Sequence, residues 1–298
     1  LARRNGLSLP ADDVEGLAAL YDFKNIAQFV ELWMATTNVA RKREDFAEIA
    51  LAYAREAAAC GAVYIEAIFS PGERIERGID AEEVFAGYCD GAERAAEELG
   101  VQMRLTPDLY RGLSPQIACE VARHAVRNRE RGIVGLGLGG DETARPASDY
   151  AEAFAIAREG GLASVPHAGE TTGPDYIREA LDLLGADRIR HGIKAVEDPE
   201  LMAELAERRI VLDVCLTSNL RLSGIETLEQ HPLPKLVEAG VLCSISTDDP
   251  AIFGTDLTRE YELAESLGVS AESAFAAGLA GALCDELTRA KLAATPWP

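Results

Sequence analysis

Seven short apolar runs recur along the chain, each followed by a longer amphipathic run, and this alternation restricts the possible folds more than any other feature. The runs lie at Val63–Phe69, Val101–Leu109, Ile133–Leu138, Ala163–His167, Arg188–His191, Ile210–Leu216 and Val241–Ser246. Between them stand helical patterns such as DAEEVFAGYCDGAERAAEELG and SPQIACEVARHAVRNRERG, several ending in Gly or a basic residue. Strand, helix and strand joined by short links require right-handed crossovers and a parallel sheet. Seven such units, with one more strand before residue 1, make the closed (β/α)8 TIM-type barrel. The 298 residues then form a single barrel domain over 1–298, lacking its first strand. The rival fold, an open doubly wound sheet, needs a Gly-rich loop that opens a helix. GLGLGG (135–140) is followed by DETARP instead, so it marks a place of close backbone approach.

Composition narrows the partners. The formal net charge of −21 argues against nucleic acid or an anionic membrane surface. No apolar run reaches the roughly 18 residues of a membrane span. Six cysteines without a C-x-x-C pair read as reduced, buried thiols, which points to the cytoplasm. The chain opens on LARRNGLSLP with no initiator Met, so upstream sequence is expected.

Four histidines exist, and their positions are informative. His124 lies mid-helix between arginines, a solvated helix position. His231 precedes Pro232 near a helix start and suits a capping or supporting role. His167 (VPHAGE) and His191 (RIRHG) each stand where an apolar run stops. The last run ends in STDDP, with Asp248 beside Asp249. A solvated Asp-Asp-Pro turn is one reading of that pair. The other is that a cation sits between convergent rim groups, because barrel active sites form at the C-terminal strand ends. His167, Glu170, His191, Asp248 and Asp249 would then share one mouth. Imidazole and carboxylate are zinc ligands, and zinc lowers the pKa of bound water to about 7. A further His and Glu supply proton transfer.

GLGGDE (137–142), HAGE (167–170), RIRHG (188–192), LTSN (216–219) and STDDP (246–250) follow one another in an order and spacing that resembles the adenosine deaminase family of the amidohydrolase superfamily. The resemblance runs from about residue 1 to 290. It implies a (β/α)8 barrel with one zinc ion that hydrolyses the 6-amino group of adenine-type purines. By the same resemblance His167 and Asp248 are zinc ligands, and Glu170 protonates purine N1. His191 holds and deprotonates the zinc-bound water. Asp249 accepts a hydrogen bond from protonated N7, and Gly140 offers its backbone N–H to N3. The family's His-x-His strand, which supplies two more ligands, is expected upstream of residue 1. Ser218 and Asn219 close a strand, as rim groups or as turn caps. Phe29, Val30 and Trp33 share one face of the apolar segment Tyr21–Val39, where the family places a gate over the purine. Plain helical packing onto the barrel is the other reading of that segment. The H-x-E and P-C-x-x-C site of the other zinc deaminases is absent.

The expected substrate is adenosine or a close 6-aminopurine nucleoside. Aminodeoxyfutalosine and adenine deamination by the same family are the alternatives. So are another amidohydrolase reaction and an inactive barrel that only binds.

Overall fold

The computed structural model describes residues 1–23 and 25–295. Its strands are β1 (Tyr64–Phe69), β2 (Gln102–Tyr110), β3 (Gly135–Gly139), β4 (Ala163–Ser164), β5 (His167–Ala168), β6 (Arg188–His191), β7 (Val211–Val214) and β8 (Leu242–Ile245). The helices before β1 are α1 (Val14–Leu20), α2 (Ile26–Thr37) and α3 (Arg43–Ala59). After β1 come α4 (Gly72–Glu76) and α5 (Ala81–Leu99), after β2 α6 (Pro115–Arg127), and after β3 α7 (Ala151–Glu159). The later crossovers hold α8 (Pro174–Leu183), α9 (Pro199–Glu207), α10 (Leu216–Leu222) and α11 (Leu233–Glu238). Beyond β8 lie α12 (Pro250–Phe253), α13 (Leu257–Ser266), α14 (Ala271–Gly281) and α15 (Glu286–Ala293).

All strand pairs are parallel, in the orders β1-β2-β3-β4 and β5-β6-β7-β8. The expected strand Ala163–His167 is therefore split. The cause is Pro166, which has no N–H to give to a ladder. The backbone still passes through as one strand: Val165 N–H donates to Leu136 O at 2.9 Å, and Arg190 N–H donates to Pro166 O at 3.0 Å. Seven strand positions of the barrel thus lie within the described residues.

The other sequence expectations shift by a residue or two at their ends. One correction matters. Leu216, Ser218 and Asn219 do not close a strand; they form the first turns of α10, where Asn219 N–H donates to Cys215 O. His124 is helical as expected but half-buried, its ring 5.6 Å from that of Phe85. Cys60 and Cys284 are likewise only half-buried, while the other four cysteines are buried.

Alternation explains the layers. In Arg188-Ile189-Arg190 the central residue is fully buried in the outer layer between strands and helices. Its two neighbours point the opposite way, into the barrel. There Arg188 pairs with Glu66 (2.6 Å) and Asp213 (2.9 Å). The outer apolar layer forms one cluster around β1–β4 and another around β5–β8. A third cluster joins Phe23, Phe29 and Trp33 to Ile252 and Phe253, and so seats α2 beside the loop after β8. Among the described residues no helix is long and apolar enough to cross a membrane.

Candidate active site

A cavity of about 1060 Å3 opens at the C-terminal strand ends. Gly140, His167, Glu170, His191, Asp248 and Asp249 line it, and α2 adds Phe29, Val30 and Trp33. The structure thus brings these candidate residues to one cavity, whereas Ser218 and Asn219 do not line it. It continues along β1 as far as Arg188 and Asp213.

His167 opens β5. Its Nδ1 faces Leu138 O at 3.0 Å and Asp108 Oδ2 at 3.2 Å. Asp108, from β2, also pairs with buried Arg190 of β6, which in turn donates to Thr106 Oγ1 at 2.5 Å. This buried pair explains GLGLGG. A Cβ on Gly137 would lie 2.0 Å from Asp108 Oδ1, so only glycine lets the pair pack against β3. Both neighbours of Nδ1 are acceptors, so Nδ1 carries the proton and Nε2 keeps the lone pair.

Glu170 sits on the loop after β5. Glu142, itself buried, holds that loop. Its carboxylate accepts the N–H groups of Gly169 (2.7 Å), Glu170 (3.2 Å), Thr171 (2.8 Å) and Thr172 (3.0 Å). Burial resists the charge on Glu142, but these donors win and hold its pKa below the usual carboxylate value. Glu170 has the opposite balance. Burial, then the charges of Asp248 and Glu142, push its carboxyl well above the usual value. Two acids on neighbouring loops are therefore shifted in opposite directions.

His191 ends β6, with Nε2 3.7 Å from Glu170 Oε2 and 3.9 Å from Asp248 Oδ2. Its ring lies 5.3 Å from that of His167. Burial lowers its pKa to about 4, so the ring is neutral at pH 7. Asn219 Nδ2 donates to His191 Nδ1 at 3.1 Å, and Ser218 Oγ donates to Asp248 Oδ2 at 2.6 Å. The first turn of α10 therefore positions both groups. Among the described residues three non-glycine positions have positive φ, and two of them are His191 (61°) and Asp248 (57°). A left-handed backbone costs such residues about 1–2 kcal/mol, and strain of this kind gathers at functional sites.

Asp249 precedes α12, and Trp33 hydrogen-bonds to its side chain. Burial and the neighbouring Asp248 raise its pKa. The Phe29 ring stacks on Phe253 at 5.3 Å, and the Arg74 guanidinium lies 5.4 Å from the Trp33 ring. Gly140, at φ 89°, packs against Tyr110, where a Cβ would approach to 2.9 Å.

The donor chemistry suits a divalent cation. His191, Cys215 and Asp248 place ligand atoms within 4.8 Å of one another. Burial and the surrounding carboxylates push the Cys215 thiol well above its ordinary value, so it stays a neutral, poor ligand. Asp248 offers oxygen and His167 offers Nε2, both fitting zinc preferences. These two residues would hold the ion.

Asp108, Arg190, Glu142 and Cys215 were not singled out for a role from the sequence. The available signal was a charge inside an apolar run, as in LTPDLY and RIRH.

The adenosine deaminase family profile matches residues 1–294. An aminodeoxyfutalosine deaminase from Acidothermus cellulolyticus is 52% identical, covering 100% of this chain and 87% of that protein. An adenine deaminase from Rhodospirillum rubrum is 41% identical, covering 85% and 76%. Among solved structures, an adenine deaminase from Arthrobacter aurescens superposes with a TM-score of 0.91 at 32% identity, over 98% of this chain and 90% of that one. An amidohydrolase from Burkholderia ambifaria, solved with bound Zn, gives 0.89 at 28%, over 99% and 83%. The fold is the TIM-type barrel of the metal-dependent amidohydrolases, and the chain is a hydrolytic aminohydrolase that belongs to the adenosine deaminase family.

Proposed function

We propose that this protein removes the 6-amino group of aminodeoxyfutalosine, a 6-aminopurine nucleoside, releasing ammonia. The relatives described above are named for aminodeoxyfutalosine and for adenine, so adenosine, the first expectation from the sequence, gives way to its alternative. The 52% relative favours the nucleoside. The adenine deaminases at 41% and 32% identity support free adenine as the second reading.

The observation that carries the chemistry is Glu170, a buried acid whose pKa stands well above the usual value, on the cavity wall. Attack at C6 breaks the ring's conjugation and drives electron density onto N1. A carboxyl group that is still protonated at neutral pH quenches that charge. His191 is placed to hold the attacking water. In this reading Asp249 accepts a hydrogen bond from protonated N7, and Gly140 N–H donates to N3. Phe29 and Trp33 cover the purine and exclude water. His167 and Asp248 would hold a zinc ion, which lowers the pKa of water and supplies a nucleophile at neutral pH.

Ammonia release from aminodeoxyfutalosine, adenosine, deoxyadenosine and adenine ranks the substrates. Glu170→Gln should lower kcat at least ~10²-fold with metal content unchanged. Turnover retained by that variant would refute the acid role. A higher kcat/KM on adenine than on the nucleosides would install the second reading.

A further inference from the structure

The structure carries a statement about the resting tautomer of His191 that the family resemblance does not supply. It starts from a backbone donor. Leu233 N–H, at the start of α11, points at His231 Nδ1 at 3.2 Å. A backbone N–H only donates, so Nδ1 is the acceptor and the His231 proton sits on Nε2. That Nε2 faces Asn219 Oδ1 at 3.3 Å, which fixes the oxygen end of the amide. The nitrogen end must then face the other way, and it does. Asn219 Nδ2 meets His191 Nδ1 at 3.1 Å and Ser223 Oγ at 3.4 Å. Turning the amide over would set Nδ2–H against the Nε2–H of His231 and leave a buried donor facing a donor. Asn219 is fully buried and His231 nearly so, and water gives neither a substitute partner.

We infer that Asn219 and His231 are positioning residues that hold His191 with Nδ1 unprotonated and its proton on Nε2, so that His191 presents an N–H donor to the reaction centre. This rests on the aminohydrolase reading and revises one part of it. An imidazole whose cavity-facing nitrogen already carries a proton has no lone pair there to accept another, and it could become an imidazolium only by protonation at Nδ1. The Nδ1 position opposes that form too, because a protonated Nδ1 would meet the Asn219 amide donor. His191 therefore orients the attacking oxygen and donates to it; it is not the base. The same logic removes His191 from the metal's ligand set, because its Nε2 lone pair is occupied by a proton.

The test is spectroscopic and needs no substrate. With four histidines in the chain, ring 15N shifts of the 15N-histidine-labelled protein resolve residue by residue. His191 should show a protonated Nε2 and an unprotonated Nδ1, and His231 the same. Asn219→Asp replaces the amide donor by an acceptor, so the His191 proton should move to Nδ1 and kcat should fall roughly 10²–10⁴-fold, as expected for a wrong tautomer. His231→Leu frees the amide to turn, so His191 should show a mixture of tautomers and lose kcat about tenfold. His231→Gln, which still donates to Asn219 Oδ1, should keep the wild-type His191 shifts. A protonated Nδ1 on His191 in the unaltered protein overturns the inference. So does a His231→Leu variant whose His191 shifts stay put. A protein with the expected shifts that releases no ammonia from any 6-aminopurine sinks the aminohydrolase reading and leaves the tautomer assignment standing.

Discussion

His167 and His191 lie 5.3 Å apart, yet the two sides of the site hold them by opposite means. The His167 side is built from charge. Asp108 and Arg190 form a buried pair behind the ring, and the Glu142 carboxylate gathers the backbone of the next loop. The His191 side is built from neutral groups: an amide, a second imidazole and a hydroxyl. Acceptors surround Nδ1 of the first ring and a donor meets Nδ1 of the second. Both rings consequently turn Nε2 to the cavity, one with a lone pair and one with a proton. Residue type alone does not set a histidine's role; the polarity of what stands behind it does.

The largest test removes the charged side. Asp108→Leu leaves Arg190 buried without its counter-ion and should cost about 3–5 kcal/mol in chemical denaturation. Asp108→Asn keeps the shape and should instead weaken metal binding about 10–100-fold, read by metal titration. If both variants keep wild-type stability and metal content, the charged side is not what holds His167.

Acid should then separate the two sides by pH. His231 is buried and neutral, with a pKa lowered by burial from 6.5 to about 4. The unfolded chain binds the proton first, so this residue's share of stability is present above pH 6.5 and falls between there and about 4. The loss is on the order of 3 kcal/mol, and His231→Gln should remove that slope. Glu142 has the opposite origin. Its folded pKa is depressed below 4.5, so its share is present above 4.5 and is lost only at lower pH. Glu142→Gln should cost about 2 kcal/mol at neutral pH and flatten only the most acidic limb. Denaturant midpoints from pH 7 to 3 measure both, and coincident limbs would erase the distinction.

Trp33 lines the same cavity as both histidines and hydrogen-bonds to Asp249. Trp33→Ala should raise KM several-fold and lower kcat/KM by about tenfold, roughly 1.4 kcal/mol. A variant with unaltered KM and kcat would remove the gate from the account and leave α2 as simple packing.

The strands were legible because their signal is periodic. Apolar residues at period two, bounded by glycine and by capping residues such as Asp80 and Asp198, placed seven runs to within a few residues of the structure. The residues at the ends of those runs were legible as well, because a parallel barrel puts every C-terminal strand end on one face. Pro166 was visible too, but whether a proline breaks a strand or only a ladder depends on which neighbour its absent N–H faces. Ser218 and Asn219 were placed on the wrong element because LTSN follows an apolar run directly, with no turn residue between.

Sequence alone therefore pointed to the barrel, to its mouth and to the acids and imidazoles at the strand ends, but not to buried acids such as Asp108. All of these follow from local periodicity and from the fixed direction of the strands. The tertiary structure decided the protonation of those groups. Glu142 and Glu170 stand on neighbouring loops with opposite pKa shifts, and His167 and His191 with opposite tautomers. Charge state and tautomer depend on which donors and acceptors, tens of residues away in the chain, are brought within about 3 Å of a buried atom.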